Sequence, residues 1–398
     1  MAEIVYIIQP IEQKNYKVLH EEAIALITSA NAEYGGTIYQ NIREINPATY
    51  IGEGKLLELK ERLEGLDVTV LFNGELSPSQ TLNISAALDG KKVIDRTTLI
   101  LDIFALRAQS SEGKLQVELA QLKYLYPRLK GKGEALSRLG GGIGTRGPGE
   151  SQLETDRRHI RARIHSLEQK LEATEKRRSF QTQRRQKDGV RTIALVGYTN
   201  TGKSTLLNTL TGSDVLSKDA LFATLDPTSR EFKIDGIPFL LVDTVGFLQN
   251  LPHQLIESFK STLESALNCD LALIVCDAAG EYEMQLSTTL ETLRDMNFSS
   301  PYLVVMNKCD LNPEINVKDA VHISAKENKG LTELKEKILE CFKDEFYRTE
   351  LFIPYEKSSE YQALRSLLFE QTVTYGDDGT TVNAIIPVIH LDKFRVFL

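Results

Sequence analysis

The fold of this chain is decided by one stretch, Gly197-Tyr198-Thr199-Asn200-Thr201-Gly202-Lys203-Ser204. It follows an apolar run at 192–196, typical of a buried strand, and leads into a helix-forming run at 204–210. Glycines let consecutive backbone N–H groups turn toward one point, where the helix N-terminus adds positive potential. This order predicts a phosphate-binding loop, with Lys203 on the β- and γ-phosphates and Ser204 as a Mg²⁺ ligand.

A second motif, Asn307-Lys308-Cys309-Asp310, indicates which base is bound. It follows an apolar run at 302–306, so it lies at the carboxyl end of a strand, where open parallel sheets bind ligands. The Asp310 carboxylate can accept from the ring N–H and the amine of guanine, and a site built for these bonds rejects adenine. We predict that Asn307 bonds the base and braces the phosphate loop, that Lys308 lies along the base plane, and that Ser324-Ala325-Lys326 donates a backbone N–H to the guanine carbonyl.

Two further segments are predicted to sense the γ-phosphate. Asp243-Thr244-Val245-Gly246 ends a strand at 239–242, which predicts that Asp243 holds Mg²⁺, directly or through water, and that the Gly246 N–H faces the γ-phosphate. The first switch lies within 213–230 and contains Phe222-Ala223-Thr224-Leu225-Asp226, which offers Thr224 as the second hydroxyl ligand of Mg²⁺; Thr228 is the competing candidate. A hydroxyl that ligates Mg²⁺ only in the presence of the γ-phosphate makes an order–disorder switch.

The position after Gly246 departs from a common pattern. Many GTPases place there a Gln that orients the attacking water. Phe247 occupies it in this chain and cannot position water. We therefore expect slow intrinsic hydrolysis unless a partner completes the site.

The chain length and composition are those of a multidomain protein with ordinary cores. With 398 residues and 41% apolar residues, two or three domains are expected. The four cysteines show no C-x-x-C pairing, which suits a reducing cytosol. The first ten residues do not resemble a secretory signal, and no apolar run approaches about 18 residues, so we expect a cytoplasmic protein without a membrane span.

Positive charge is concentrated in one region of an acidic chain. Residues 128–191 hold 17 Lys/Arg and 8 Asp/Glu, a balance of +9, whereas the whole chain has a net charge of −8. A basic region on an acidic protein predicts a polyanionic partner.

The pattern of apolar residues predicts four regions. Residues 1–112 alternate strands and helices and form a small α/β domain, while 113–190 form an antiparallel helical hairpin with a glycine-rich loop at 129–150. Residues 191–345 form a P-loop GTPase domain with a doubly wound, mostly parallel sheet. Residues 346–398 form a small α+β appendage. The overall class is therefore α/β.

The hairpin prediction comes from two stripes of the same spacing, Leu115, Leu119, Leu122 and Tyr126, then Ile160, Ile164, Leu167 and Leu171. Cations and exposed backbone N–H groups in the intervening loop suit the backbone of irregular RNA; a disordered connection is the alternative. The predicted RNA-binding residues are Arg128, Lys130, Lys132, Arg138, Arg146, Arg157 and Arg158.

The chain resembles the HflX-type GTPases. The resemblance rests on residues 46–52, on the linker signature at 140–158 with Gly147-Pro148-Gly149-Glu150-Ser151-Gln152-Leu153-Glu154-Thr155-Asp156-Arg157-Arg158, and on the GTPase motifs above. It implies a ribosome-associated GTPase that binds GTP or GDP and, with GTP, the large ribosomal subunit, and that splits or rescues stalled ribosomes.

The resemblance also bears on cofactors. It implies Mg²⁺, and in similar GTPases an Asn at the position of Asn200 helps to bind K⁺ beside the phosphates; the alternative is that Asn200 only caps a turn. Lys203, Thr224, Gly246 and Asn200 are the predicted catalytic residues, and we expect a monomer.

Two other functions fit the same residues. One is an RNA-remodelling or ribosome-assembly factor whose amino-terminal domain has its own nucleotide affinity, suggested by Gly52-Glu53-Gly54-Lys55, which is more simply a turn before a helix. The other is a switch that binds a protein partner in the GTP state.

Overall fold

The computed structural model describes residues 2–11, 15–137, 148–212, 221–222, 224, 226–250, 252, 255 and 268–398. The chain divides into two compact units. Unit 1 comprises Met1–Thr174, Lys218–Asp226 and Leu248–Thr262, and unit 2 comprises Glu175–Ser217, Pro227–Phe247 and Leu263–Leu398. No helix of the described ranges combines the length and apolar character that crossing a membrane requires.

Unit 1 is built on a four-stranded parallel sheet with the strand order β2-β1-β3-β4. Its strands are β1 (Ile4–Ile11), β2 (Glu33–Asn41), β3 (Thr69–Phe72) and β4 (Val93–Asp95). Its first helices are α1 (Tyr16–Ser29), α2 (Glu53–Arg62), α3 (Pro78–Ala87) and α4 (Arg96–Arg107). All four residues of β3 are buried, as expected where helices cover a parallel sheet.

Helix α4 lacks the apolar period by which a helix is recognised in a sequence. Residues 99–101, 103 and 104 are all buried, so apolar residues lie on most sides and hide the helical period. The helix nevertheless begins at a strong cap, because Asp95 accepts hydrogen bonds from the Thr98 backbone N–H (3.0 Å) and hydroxyl (2.6 Å).

The basic region forms the long helices α5 (Ser111–Ser137) and α6 (Pro148–Lys187). The predicted loop at 129–150 is therefore wrong for 129–137 and 148–150, which are helical. Glycines 131 and 133 each disfavour a helix by only about 1 kcal/mol, which neighbouring Lys, Glu, Ala and Leu offset. Residues 138–147 lie outside the described part of the chain.

The two long helices contact each other through an ion pair and through arginines that lie over a tyrosine ring. Arg163 forms a bidentate pair with Glu118 (2.7 and 2.8 Å), and the guanidinium groups of Arg157 and Arg161 lie 5.3 and 5.6 Å from the ring centre of Tyr126. Of the two predicted apolar stripes, Leu119 and Leu167 are buried.

Unit 2 contains a six-stranded sheet with the order β10-β9-β8-β5-β7-β6. The strands are β5 (Arg191–Gly197), β6 (Thr228–Ile234), β7 (Ile237–Asp243), β8 (Leu271–Asp277), β9 (Tyr302–Asn307) and β10 (Ala320–His322). The helices are α7 (Lys203–Thr211), α8 (Tyr282–Asp295) and α9 (Leu331–Cys341). Only β6 is antiparallel, against β7. The fold is therefore the mostly parallel, doubly wound α/β class that the sequence predicts.

The carboxyl-terminal residues of unit 2 form a three-stranded antiparallel sheet with the order β11-β13-β12. Its strands are β11 (Phe346–Pro354), β12 (Phe369–Tyr375) and β13 (Gly379–Pro387), with the short helices α10 (Ser358–Leu364) and α11 (Leu391–Phe394). Leu351, Val382, Ile386 and Phe394 form a separate small core.

Candidate nucleotide-binding site

The loop between β5 and α7 needs its glycines for space as well as for conformation. Gly202 has φ +90° and precedes the first residue of α7; a Cβ there would overlap Nδ2 of Asn307. A Cβ at Gly197 would overlap the Val275 carbonyl oxygen. The loop therefore packs closely against β8 and β9 and ends at the N-terminus of α7, where the helix end favours an anion.

Lys203, the first residue of α7, is held inside this loop. Its side chain is buried, and Nζ donates to the carbonyl oxygens of Gly197 (3.1 Å) and Tyr198 (2.7 Å). Burial lowers the pKa of the Lys203 ammonium to about 8, although Asp243 opposes the shift. The loop thus holds the Lys203 ammonium where burial destabilises its charge, and a bound anion would stabilise it.

The two predicted Mg²⁺ ligands of unit 2 are adjacent. Ser204 Oγ donates to Asp243 Oδ2 at 2.6 Å, and Asp243 is fully buried at the end of β7. The Thr244 hydroxyl donates to the Leu195 carbonyl (2.7 Å), which fixes the backbone after Asp243. A hydroxyl beside a carboxylate is an oxygen donor set that suits Mg²⁺.

The Asp243–Gly246 motif is tied to the phosphate loop by backbone hydrogen bonds. Phe247 N donates to Gly197 O (3.1 Å), and Thr199 N donates to Phe247 O (2.8 Å). A Cβ at Gly246 would lie 2.7 Å from Thr199 Cα, so only glycine allows this approach. The Phe247 side chain is buried, and its ring cannot orient a water molecule.

Asn307, at the end of β9, joins the phosphate loop to the segment after β10. Its Nδ2 donates to Thr201 O (2.8 Å), and its Oδ1 accepts from Ala325 N (3.0 Å). Both bonds are buried. Asn307 therefore makes the bracing contact that its position predicts.

The residues predicted to bind the base lie around Asn307. Lys308 Nζ donates to Asp277 Oδ2 at 2.6 Å, which fixes the lysine stem at this edge of the sheet. A hydrogen bond from the Ser324 hydroxyl lowers the pKa of Asp310, so that carboxyl is ionised at neutral pH as guanine recognition requires. Lys326 is exposed, whereas Ser324 and Ala325 are buried.

The motif 222–226 of the first switch belongs to unit 1, and its described residues are Phe222, Thr224 and Asp226. The buried Phe222 ring lies 4.6 Å from the ring of Phe104, and the Asp226 carboxylate binds the residues that precede α5. The competing Thr228 begins β6 and pairs with Asp243 of the neighbouring strand β7. Because a strand holds Thr228, Thr224 is the better candidate for a hydroxyl that changes position. Ala223 and Leu225 lie outside the described residues.

The predicted RNA-binding residues have different environments. The Arg128 guanidinium binds Asp95 (3.2 Å) and the Leu76 carbonyl (2.9 Å) and lies 3.3 Å from the Tyr124 ring centre, which argues against the predicted RNA contact. Arg157 is half-buried, and Arg158 is exposed on α6. Lys130 and Lys132 lie on α5, but their side chains, like Arg138 and Arg146, fall outside the described part.

Asp277 contacts a predicted site residue, although no motif includes it. It ends β8, its carboxylate accepts from Lys308, and its backbone N–H donates to Gln285 Oε1 (2.9 Å). The signal that could have found it is its place at the carboxyl end of a parallel strand, beside the strand that carries Asn307.

The phosphate loop, the hydroxyl–carboxylate pair and the base-binding strand ends define this protein as a P-loop GTPase. Residues 18–105 and 107–185 match family models described as GTP-binding GTPase N-terminal and GTP-binding GTPase Middle Region. Residues 192–308 match a model described as 50S ribosome-binding GTPase.

Curated relatives match nearly the whole chain. A GTPase HflX of Caldanaerobacter subterraneus is 47% identical over 405 residues, covering 99% of this chain and 92% of the relative. A GTPase HflX of Escherichia coli is 39% identical over 387 residues, covering 93% and 90%. The chain therefore belongs to the HflX GTPase family.

Proposed function

We propose that this GTPase binds the large ribosomal subunit in its GTP state and splits or rescues stalled ribosomes. The observation that carries the proposal is a GTP site joined in one chain to a basic pair of long helices. The match of residues 192–308 to a model described as 50S ribosome-binding GTPase supports the same partner. The +9 balance of residues 128–191 suits rRNA.

The proposed hydrolytic roles follow from the site geometry. Lys203 binds the β- and γ-phosphates, and the Gly246 N–H faces the γ-phosphate. Ser204, Thr224 and Asp243 hold Mg²⁺, with Asp243 acting directly or through water. When bound, Mg²⁺ neutralises charge that develops on the phosphate oxygens. The other residues of the 197–204 loop and of the Asp243 segment enclose the phosphates, and the 222–226 segment positions Thr224.

Base selection and a second cation complete the proposed site. Asn307, Lys308, Asp310 and the 324–326 segment bind guanine, because the ionised Asp310 accepts two bonds that adenine lacks. Asn200 helps to bind K⁺ beside the phosphates. Since Phe247 cannot orient water, the ribosome completes the catalytic arrangement.

The first test is GTP hydrolysis by the full chain with purified large subunits, with small subunits and alone, at one K⁺ concentration. We expect large subunits to stimulate turnover by at least about 100-fold, the scale of one supplied transition-state contact. A Lys203→Ala variant should show no turnover in any mixture. Absence of stimulation, together with no co-sedimentation in the presence of a non-hydrolysable GTP analogue, would exclude a ribosomal role.

Splitting is tested separately by light scattering of intact ribosomes. We expect the scattering to fall when the protein is added with GTP or the analogue, and to stay constant with GDP. If the protein binds and is stimulated but scattering does not change in any nucleotide state, ribosome association stands and splitting does not.

A further inference from the structure

We infer that Asp226 positions the first switch by binding Gln109 and Ser110, the two residues that precede helix α5, and we call this contact the Asp226 cap. The contact couples the GTP state to the start of the basic helices. The inference rests on the proposed function because it assumes that Thr224 ligates Mg²⁺. The Asp226 carboxylate, the start of α5, Leu221, Phe222 and Thr224 all belong to unit 1.

The cap is a concentrated set of hydrogen bonds to one carboxylate. Asp226 Oδ2 accepts from the backbone N–H groups of Gln109 (2.9 Å) and Ser110 (2.8 Å), and Oδ1 accepts from the Ser110 hydroxyl. Ser110 Oγ in turn accepts from the Gly113 N–H (2.8 Å) within the first turn of α5. A carboxylate here also interacts favourably with the positive end of the α5 dipole.

Gly113 provides a second, independent sign that this contact is built in. Glycine is unfavourable inside a helix, yet it occupies the first turn of α5. A Cβ on Gly113 would overlap Asp226 Oδ1. Gly113 therefore destabilises the first turn slightly but leaves space for the Asp226 carboxylate, which is 113 positions further along the chain.

The switch is also fixed on the other side of Thr224. Leu221 N donates to the Ser29 hydroxyl (3.1 Å), and the buried Phe222 ring packs on Phe104. Thr224 thus lies two residues from an anchor in each direction. A segment that is already held loses less conformational entropy when its hydroxyl binds a metal, so the anchors favour the state that uses Thr224.

Thermodynamic linkage makes this coupling reciprocal. If the Asp226 cap favours the GTP state, then GTP must favour the cap and with it the first turn of α5. Because α5 is the first of the two basic helices, a ligand that displaces its start would be sensed at Thr224. The affinity for GDP, whose binding does not use Thr224, should not depend on the Asp226 cap.

The test compares dissociation constants of the full chain for GDP and for a non-hydrolysable GTP analogue. Asp226→Ala and Gly113→Ala should each weaken analogue binding about tenfold, ~1.4 kcal/mol, and leave GDP binding within about twofold. Asp226→Asn, which keeps acceptors for the two N–H groups, should recover part of the loss. The double variant should lose no more than Asp226→Ala alone, because both changes remove one contact.

Gly54→Ala is the matched control. Gly54 also lies in the first turn of a helix, but a Cβ there meets nothing within 4 Å. Gly54→Ala should leave both constants unchanged. Hydrogen exchange of the Gln109 and Ser110 amides adds a local readout, with slower exchange expected in the analogue complex than in the GDP complex, and no difference in Asp226→Ala.

Equal weakening of GDP and analogue binding, additive losses in the double variant, or tighter analogue binding would each overturn the inference. A Thr224→Ala variant distinguishes the positioning role of the Asp226 cap from the assignment of Thr224 as a Mg²⁺ ligand. If Thr224→Ala weakens analogue binding and Asp226→Ala does not, the cap has no positioning role, and the switch assignment stands. No ribosome is present in these measurements, so a failed ribosome test leaves their outcome untouched.

Discussion

At the scale of single residues, Lys203 has the environment with the clearest consequence for ligand binding. Its ammonium is buried, and its pKa is lowered to about 8. Between that pKa and the ordinary value near 10.5, the folded protein binds fewer protons than the unfolded chain. Stability contributed by this group therefore rises with pH through this window, and below pH 8 the full penalty of the buried charge is present.

Phosphates beside Lys203 should reverse this shift, so nucleotide binding should take up a proton. At pH 8.5 we expect an uptake of roughly 0.7 proton per nucleotide from Lys203, falling toward zero at pH 7. Calorimetry in buffers of different ionisation enthalpy measures this number. Lys203→Arg is the control because arginine stays charged, and protons exchanged by the nucleotide itself cancel in the comparison. Equal uptake by both proteins would show that Lys203 is already fully charged.

Asn200 gives a second prediction at this scale. It is exposed and has φ +61°, a conformation that asparagine adopts more readily than most residues. Hydrolysis should be at least about tenfold faster in K⁺ than in Na⁺ if the side chain helps to hold a transition-state cation. Asn200→Gly keeps the backbone conformation and should remove the difference. Equal wild-type rates in the two salts would leave Asn200 as a turn residue.

At the scale of elements, the contact between α1 and the start of α4 is a buried ion pair. Arg96 Nη2 and Glu22 Oε2 are 2.6 Å apart, with side chains only 5% and 8% exposed. Arg96 also donates to Asn73 Oδ1 (3.0 Å) and to the carbonyl of Gln249 (3.4 Å). Burial raises the pKa of Glu22 against the opposing effect of Arg96.

Removing one partner of this pair should be worse than removing both. Glu22→Leu or Arg96→Met alone should lower the free energy of unfolding of unit 1 by about 3 kcal/mol, because a buried charge loses its partner. Glu22→Leu with Arg96→Met should recover most of that loss. Urea-dependent hydrogen exchange of β1 amides in the full chain measures the change. Additive losses in the double variant would mean that the two charges do not depend on each other.

At the scale of the whole molecule, the uneven charge distribution should govern partner binding. The chain outside residues 128–191 carries 30 basic and 47 acidic residues, so the basic helices are the part suited to a polyanion. The residues of this region do not contribute equally, because some of their charges are engaged within unit 1. Arg128 is paired with Asp95, whereas Arg158 is exposed.

This difference predicts how salt affects binding to the large subunit. Arg158→Gln should reduce the slope of log affinity against log salt by about 0.7–0.9, the value for one lost phosphate contact. Arg128→Gln should leave the slope unchanged and should instead lower the free energy of unfolding of unit 1. Sedimentation at several KCl concentrations gives the slope. An unchanged slope for Arg158→Gln would show that Arg158 contacts no phosphate. A reduced slope for Arg128→Gln would show that Arg128 does.

The sequence by itself determined the GTPase class, the mostly parallel sheet and the segregation of charge. These features are readable because their physical causes lie within a few consecutive residues. Gly197 and Gly202 permit a close backbone turn, an apolar strand precedes it and a helix N-terminus follows. Membership of the HflX family was accessible for the same reason, since its linker signature is contiguous.

Only the tertiary structure decided which polar residues meet across the chain. Asp226 binds Ser110, just before α5 and 116 residues away, and Arg128 binds Asp95 33 residues away. Helix α5 likewise continues through residues 129–137 although this segment contains two glycines, which disfavour a helix. No local pattern encodes such contacts, because the partners become neighbours only after the sheets and helices pack. Burial then determines whether a charged side chain is paired within the protein or remains exposed to bind a ligand.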